Sequence, residues 1–142
     1  MNYYIPKYFK IEELVDPVML KRFGSYNLFK NALDSRILFE IDNIRTFFNK
    51  PITINNWNIG GEFSLRGLRP FDCKEGGLLS AHKFGKALDF DVKGLTAEEV
   101  RQAIIKNSSK FINISRMEDN VSWVHIDCVN INKTNGIELF TA

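Results

Sequence analysis

Ser80-Ala81-His82-Lys83-Phe84-Gly85-Lys86-Ala87-Leu88-Asp89-Phe90-Asp91 gathers a histidine, a glycine and two acids into one short run. From Ala87 to Val92 the run reads as a strand. Strand side chains alternate with period two, so Asp89 and Asp91 share one face while Phe90 lies between them on the other. Downstream, Ser122-Trp123-Val124-His125-Ile126-Asp127 repeats the device, with His125 and Asp127 on a common face. The chain contains 2 histidines, and each falls in one of these two segments.

Imidazole nitrogens and a carboxylate oxygen are the donors that a borderline-soft ion such as zinc accepts. Two histidines with one acid leave a fourth position open, the arrangement of a catalytic rather than a structural site. His82, Asp89 and His125 are therefore the candidate ligands, and Zn2+ is the expected ion, although such a donor set also admits other divalent metals. Asp127 is the candidate acceptor that orients an imidazole, a support that metal-bound histidines usually require. Asp91 fills a similar supporting role or makes a structural hydrogen bond on its strand. Trp123 is expected to point away from His125 and to pack.

Working outward, residues 9–22 carry a helical pattern that Pro17 kinks or restarts, and Asp34 to Phe48 forms a longer helix with Asp34 as N-cap. Ile52-Thr53-Ile54 reads as a short buried strand. The glycine-rich stretch from Asn55 to Leu79 is a long loop, and such loops in a compact domain tend to be functional. Thr96-Ala97-Glu98-Glu99 is a capping box that opens a helix through about Asn107. Phe111–Ser115, Ser122–Cys128 and Ile137–Phe140 supply further strands. Helices first and strands later predict an α+β domain, residues 1–142 as one unit, with an antiparallel sheet and helices packed on one side.

At 142 residues, 44% hydrophobic and 25% charged, the chain has the composition of a soluble globular protein large enough to need no disulfide framework. Cys73 and Cys128 therefore carry no required bridge. A net charge of +2 with dispersed basic residues gives no ground for a nucleic-acid partner. No membrane segment and no signal peptide are legible, so synthesis in the cytoplasm is expected. The oligomeric state is not legible.

Ser80-x-His82-x-x-Gly85-x-Ala87-x-Asp89 followed by Trp123-x-His125-x-Asp127 resembles the signature of zinc peptidases that include D-Ala-D-Ala carboxypeptidases, D,D-dipeptidases and phage L-alanyl-D-glutamate endolysins. The Hedgehog signalling domain is similar in fold. Ile54-Asn55-Asn56-Trp57, Gly60-Gly61 and Arg66-Gly67-Leu68-Arg69 are similar to the corresponding stretch of short phage and bacterial members. The resemblance implies a Hedgehog/D,D-peptidase-like fold, His82, Asp89 and His125 as zinc ligands, and hydrolysis of a peptide bond in cell-wall peptide. Arg69 would hold the substrate carbonyl or the developing oxyanion, with Arg66 as the spare candidate.

Many relatives place their general base three residues before the last histidine, where this chain has Ser122. Hedgehog-like and some phage members place the acid further upstream, which implies Glu118. Ser80 binds a polar end of the substrate or serves as a turn hydroxyl. The enzyme would reach peptidoglycan after phage lysis or by virion delivery. The rival expectation is a metal-stabilised structural or binding module, such as a virion component, that has lost catalysis.

Overall fold

The computed structural model describes residues 2–132 and 136–142. Pro17 starts a helix rather than kinking one. Val15 is extended, and Asp16 accepts a hydrogen bond from the Met19 N–H, so α1 (Ile11–Leu14) and α2 (Pro17–Asn27) are separate elements. Pro17 occupies the first turn of α2, where its missing N–H leaves no bond unmade. A π-helical turn, Leu28–Ala32, leads to α3 (Ser35–Phe48), which Asp34 caps through the Arg36 N–H as expected. Ile37, Leu38, Ile41 and Ile44 form its buried stripe. The anticipated Thr96/Glu99 capping box opens α4 (Ala97–Lys106).

Among the described residues, five strands follow these helices or interleave with them: β1 (Ile52–Thr53), β2 (Ala87–Val92), β3 (Arg116–Glu118), β4 (Val124–Asp127) and β5 (Glu138–Phe140), in the order β1-β2-β4-β3-β5. The architecture is α+β, but the sheet is mixed rather than antiparallel. β1–β2, β2–β4 and β4–β3 are antiparallel, whereas β5 runs parallel to β3. The cause is topological. β4 ends beside the start of β3, so a chain that steps past β3 enters the sheet from that same end and runs in the same direction.

No strand forms over Phe111–Ser115. Turn bonds from Phe111 N–H to Ser108 O and from Ile114 N–H to Phe111 O occupy groups that a ladder would need. Phe111 and Ile114 are nevertheless fully buried, so their apolar character reflects anchoring rather than pairing.

Register sorts the strand residues into two faces. Leu88, Phe90, Val92, Met117, Val124 and Ile126 join one core cluster with the buried stripe of α3 and with Val100 and Ile104 of α4. Ala87, Asp89, Asp91, Arg116, Glu118, His125 and Asp127 alternate onto the opposite face. Among the described residues, no helix is long and apolar enough to cross a membrane.

Candidate metal centre

Asp89 and His125 are direct cross-strand partners on β2 and β4. Opposed residues hold their Cβ atoms ~4.5–5.5 Å apart, close enough for both side chains to reach one point. His82 arrives from a 3-10 turn, Ala81–Phe84, that ends at Gly85 with φ +66°. A side chain at Gly85 would be strained by that φ and would also overlap the Ala32 carbonyl, so this glycine lets the turn press against the segment before α3. Gly67 is similarly confined, because a Cβ there would overlap the Leu14 carbonyl. Its own carbonyl lies 2.9 Å from His82 Nδ1.

The loop from Asn55 to Leu79 is tied down where it passes the site. Asn55 and Trp57 side chains both donate to Val15 O, Leu68 N–H donates to Leu14 O at 2.8 Å, and Asp89 N–H donates to Arg66 O at 2.7 Å. Arg66 is thereby held against β2, and Arg69 N–H donates to His82 O at 3.2 Å.

His82, Asp89 and His125 converge in burial. His82 Nε2 lies 3.3 Å from His125 Nδ1 and 3.2 Å from Asp89 Oδ2, and His125 Nδ1 lies 2.8 Å from Asp89 Oδ1. A tetrahedron with bonds of ~2.0–2.1 Å has edges of roughly 3.3–3.4 Å, so the three donors fit a small divalent ion with little movement. With Nδ1–H donated to Gly67 O, His82 presents the Nε2 lone pair to the centre. Asp127 Oδ2, 3.4 Å from His125 Nε2, likewise leaves His125 to present Nδ1.

Two lone pairs and a carboxylate facing one another require a positive charge between them. Burial pulls the His125 imidazole down, but hydrogen bonds to Asp127 and Asp89 outweigh it and raise its pKa to about 9. Burial pushes the Asp89 carboxyl up, and hydrogen bonds with His125 and His82 reverse this, leaving it well below the usual carboxylate range. A proton and a metal ion are thus alternative answers to the same field. The group His82, Asp89 and His125 can hold a metal ion.

No family model matches the chain, and no curated protein or solved structure does so either.

The remaining predicted residues divide by position. Arg69 donates through Nη2 to Asp89 Oδ2 at 3.0 Å and through Nε to Leu65 O, which pins its guanidinium beside the centre. Glu118 and Ser80 line the cavity of about 450 Å³ that also contains His82, Asp89, His125 and Arg69. Glu118 pairs with Phe140 in β5, and one further step of the β3–β4 register sets it opposite His125, so Asp89, His125 and Glu118 form a row across three neighbouring strands.

Asp127 is fully buried and also accepts hydrogen bonds from Arg116, at 3.0 and 2.7 Å through Oδ2 and at 3.3 Å through Oδ1. Asp91, by contrast, pairs with Arg66, whose guanidinium lies 3.5 Å from the Phe63 ring centroid, and supports neither imidazole. Arg66 lines an adjoining cavity of about 270 Å³ together with Arg69, Asp89 and Trp123.

Trp123 corrects the expectation that it turns away. It lines the same cavity as His125 from the bend that precedes β4, and its buried Nε1 has no hydrogen-bond partner among the described residues. Arg116 and Phe140 are site residues that the sequence reading missed. Phe140 packs edge-on against His125, at 5.5 Å between centroids, and its ring also lies beneath the Arg116 guanidinium. The period-two rule applied to Arg116-Met117-Glu118 would have found the arginine once Glu118 was placed on the site face.

Proposed function

We propose that the protein is a zinc-dependent peptidase of the D-Ala-D-Ala carboxypeptidase and L-alanyl-D-glutamate peptidase type, with a Hedgehog/D,D-peptidase-like fold, acting on bacterial cell-wall peptide. The observation that carries this reading is the row of Asp89, His125 and Glu118 beside His82 and Arg69 in one cavity. A purely structural metal site has no need of an uncommitted carboxylate and a pinned guanidinium at its open side.

Zinc held by His82, Asp89 and His125 would supply Lewis acidity towards a carbonyl and towards water. The protein's own residues account for the proton and for the charge. Glu118, whose carboxylate accepts no hydrogen bond from the described residues, takes a proton from the attacking water and delivers it to the leaving amine. Arg69 donates to the carbonyl oxygen as negative charge gathers there, with its guanidinium already oriented by Leu65 O and Asp89.

The test compares wild type, His82→Ala and Glu118→Ala for metal content and for release of amino groups from purified peptidoglycan. Wild type is expected to hold about one zinc and to cleave. His82→Ala should lose both, and Glu118→Ala should keep the zinc while its rate falls by ~10²–10⁴. Zinc bound by wild type without cleavage of any wall chemotype would indicate a metal-stabilised module instead.

A further inference from the structure

We propose that Arg116 is a specificity residue: its free guanidinium edge receives a substrate carboxylate on the His125 side of the centre. This inference rests on the peptidase reading and names the chemistry of the substrate that it requires. Arg116 spends Nε and Nη2 on the buried Asp127, at 3.0 and 2.7 Å. Its Nη1 makes no hydrogen bond to any described residue, its side chain is 28% exposed, and it lines the cavity that holds the metal ligands.

The guanidinium plane is also fixed. The Phe140 ring centroid lies 4.6 Å from Arg116 Cζ, so the plane is held by Asp127 at one edge and by an aromatic ring against it. A cation already anchored in this way loses little side-chain freedom when it takes an anion. Asp127 cannot occupy the free edge as well, because its second oxygen is 3.3 Å from the same Nε and 3.4 Å from Val129 N–H.

The two arginines then divide the work. Arg69 stands at Asp89 and faces the reacting carbonyl, while Arg116 stands behind His125 and faces a neighbouring acid group. In wall peptides that carboxylate has two sources, the terminal D-alanine or the free α-carboxylate of a γ-linked D-glutamate. Either would belong to the residue that departs as the amine.

Zinc-loaded wild type and Arg116→Lys are compared, for binding and for cleavage separately, on two ligand pairs. One pair is an acyl-L-Lys-D-Ala-D-Ala peptide and its terminal carboxamide, and the other is an L-Ala-γ-D-Glu-L-Lys peptide and its D-isoglutamine counterpart. Lysine keeps a positive charge beside Asp127 but presents no second planar edge. Wild type is expected to prefer the acid by about tenfold to a hundredfold in one pair, the scale of a charge-assisted hydrogen bond, and Arg116→Lys should bring that ratio close to one. Whichever pair shows the preference identifies the source.

Equal binding of acid and amide by wild type would overturn the proposal, as would a preference that survives in Arg116→Lys. If wild type cleaves nothing, the peptidase reading fails, while the binding ratios still decide the role of Arg116. Should Arg116→Lys bind metal more weakly, the binding ratios are read at saturating zinc and again with Arg116→Gln, and a preference for the acid that survives in both overturns the proposal.

Discussion

The two faces of the β2–β4 ladder are made from the same strands and obey opposite rules. One face, with Leu88, Phe90, Val124 and Ile126, is apolar, and each of these residues is at most 1% exposed. The other carries Asp89, His125 and Asp127, which are nearly as deeply buried yet polar. Full burial of an aliphatic or aromatic side chain stabilises a fold by ~1.5–3 kcal/mol. A buried charge is tolerated only with partners, and losing one partner is strongly destabilising. The core face therefore holds the site face in place, and the two deeply buried acids of the site face are matched: Asp89 by His82, His125 and Arg69, and Asp127 by Arg116 and His125.

The sharpest way to break the contrast is Phe90→Ala on the core face. We expect a loss of ~3–5 kcal/mol in denaturant unfolding, with metal still bound by the molecules that remain folded. Asp127→Asn on the site face should do the reverse. Its expected cost is ~10–100-fold in metal affinity, because the imidazole loses its charged acceptor, and competition with a chromophoric chelator measures it. A loss of metal affinity in Phe90→Ala as large as that in Asp127→Asn would show that the faces are not separable.

Acidity sharpens the comparison further. The His125 pKa is raised from 6.5 to about 9, so in the metal-free protein the imidazole is largely protonated at pH 7. Metal must displace that proton. Uptake at pH 7 should release about one proton, and apparent affinity should rise roughly tenfold per pH unit until about pH 9. The variation of calorimetric enthalpy with buffer ionisation counts the protons. For the metal-free fold the sign is opposite: the contribution of His125 to stability is complete below pH 6.5 and is lost as pH rises to about 9. Thermal midpoints of chelated protein across that range would expose it.

The smallest effect belongs to Asp91→Asn. Asp91 lies on the site face, but its side chain is 45% exposed and, among the described residues, pairs only with Arg66. A change within ~1 kcal/mol of stability is expected, with metal affinity unaltered in the same chelator competition.

Much of the centre was legible because its ingredients are local. The two histidines, the His82-x-x-Gly85 spacing and the Asp89/Asp91 alternation are properties of short segments. So are the caps at Asp34 and Thr96. At Trp123 the reading failed because the residue lies in the bend before β4, outside the strand whose alternation was applied to it.

What the sequence determined by itself was the identity and facing of donors within each strand, since alternation follows from the backbone pleat. It could not decide which donors meet. The partnership of Asp89 with His125, the place of Glu118 opposite that histidine, the choice of Asp127 over Asp91 as support, and the parallel entry of β5 all depend on register between segments tens of residues apart. Register is set by hydrogen bonds and packing between strands, so a single strand's sequence does not contain it, and the tertiary fold alone turned scattered acids and histidines into one centre.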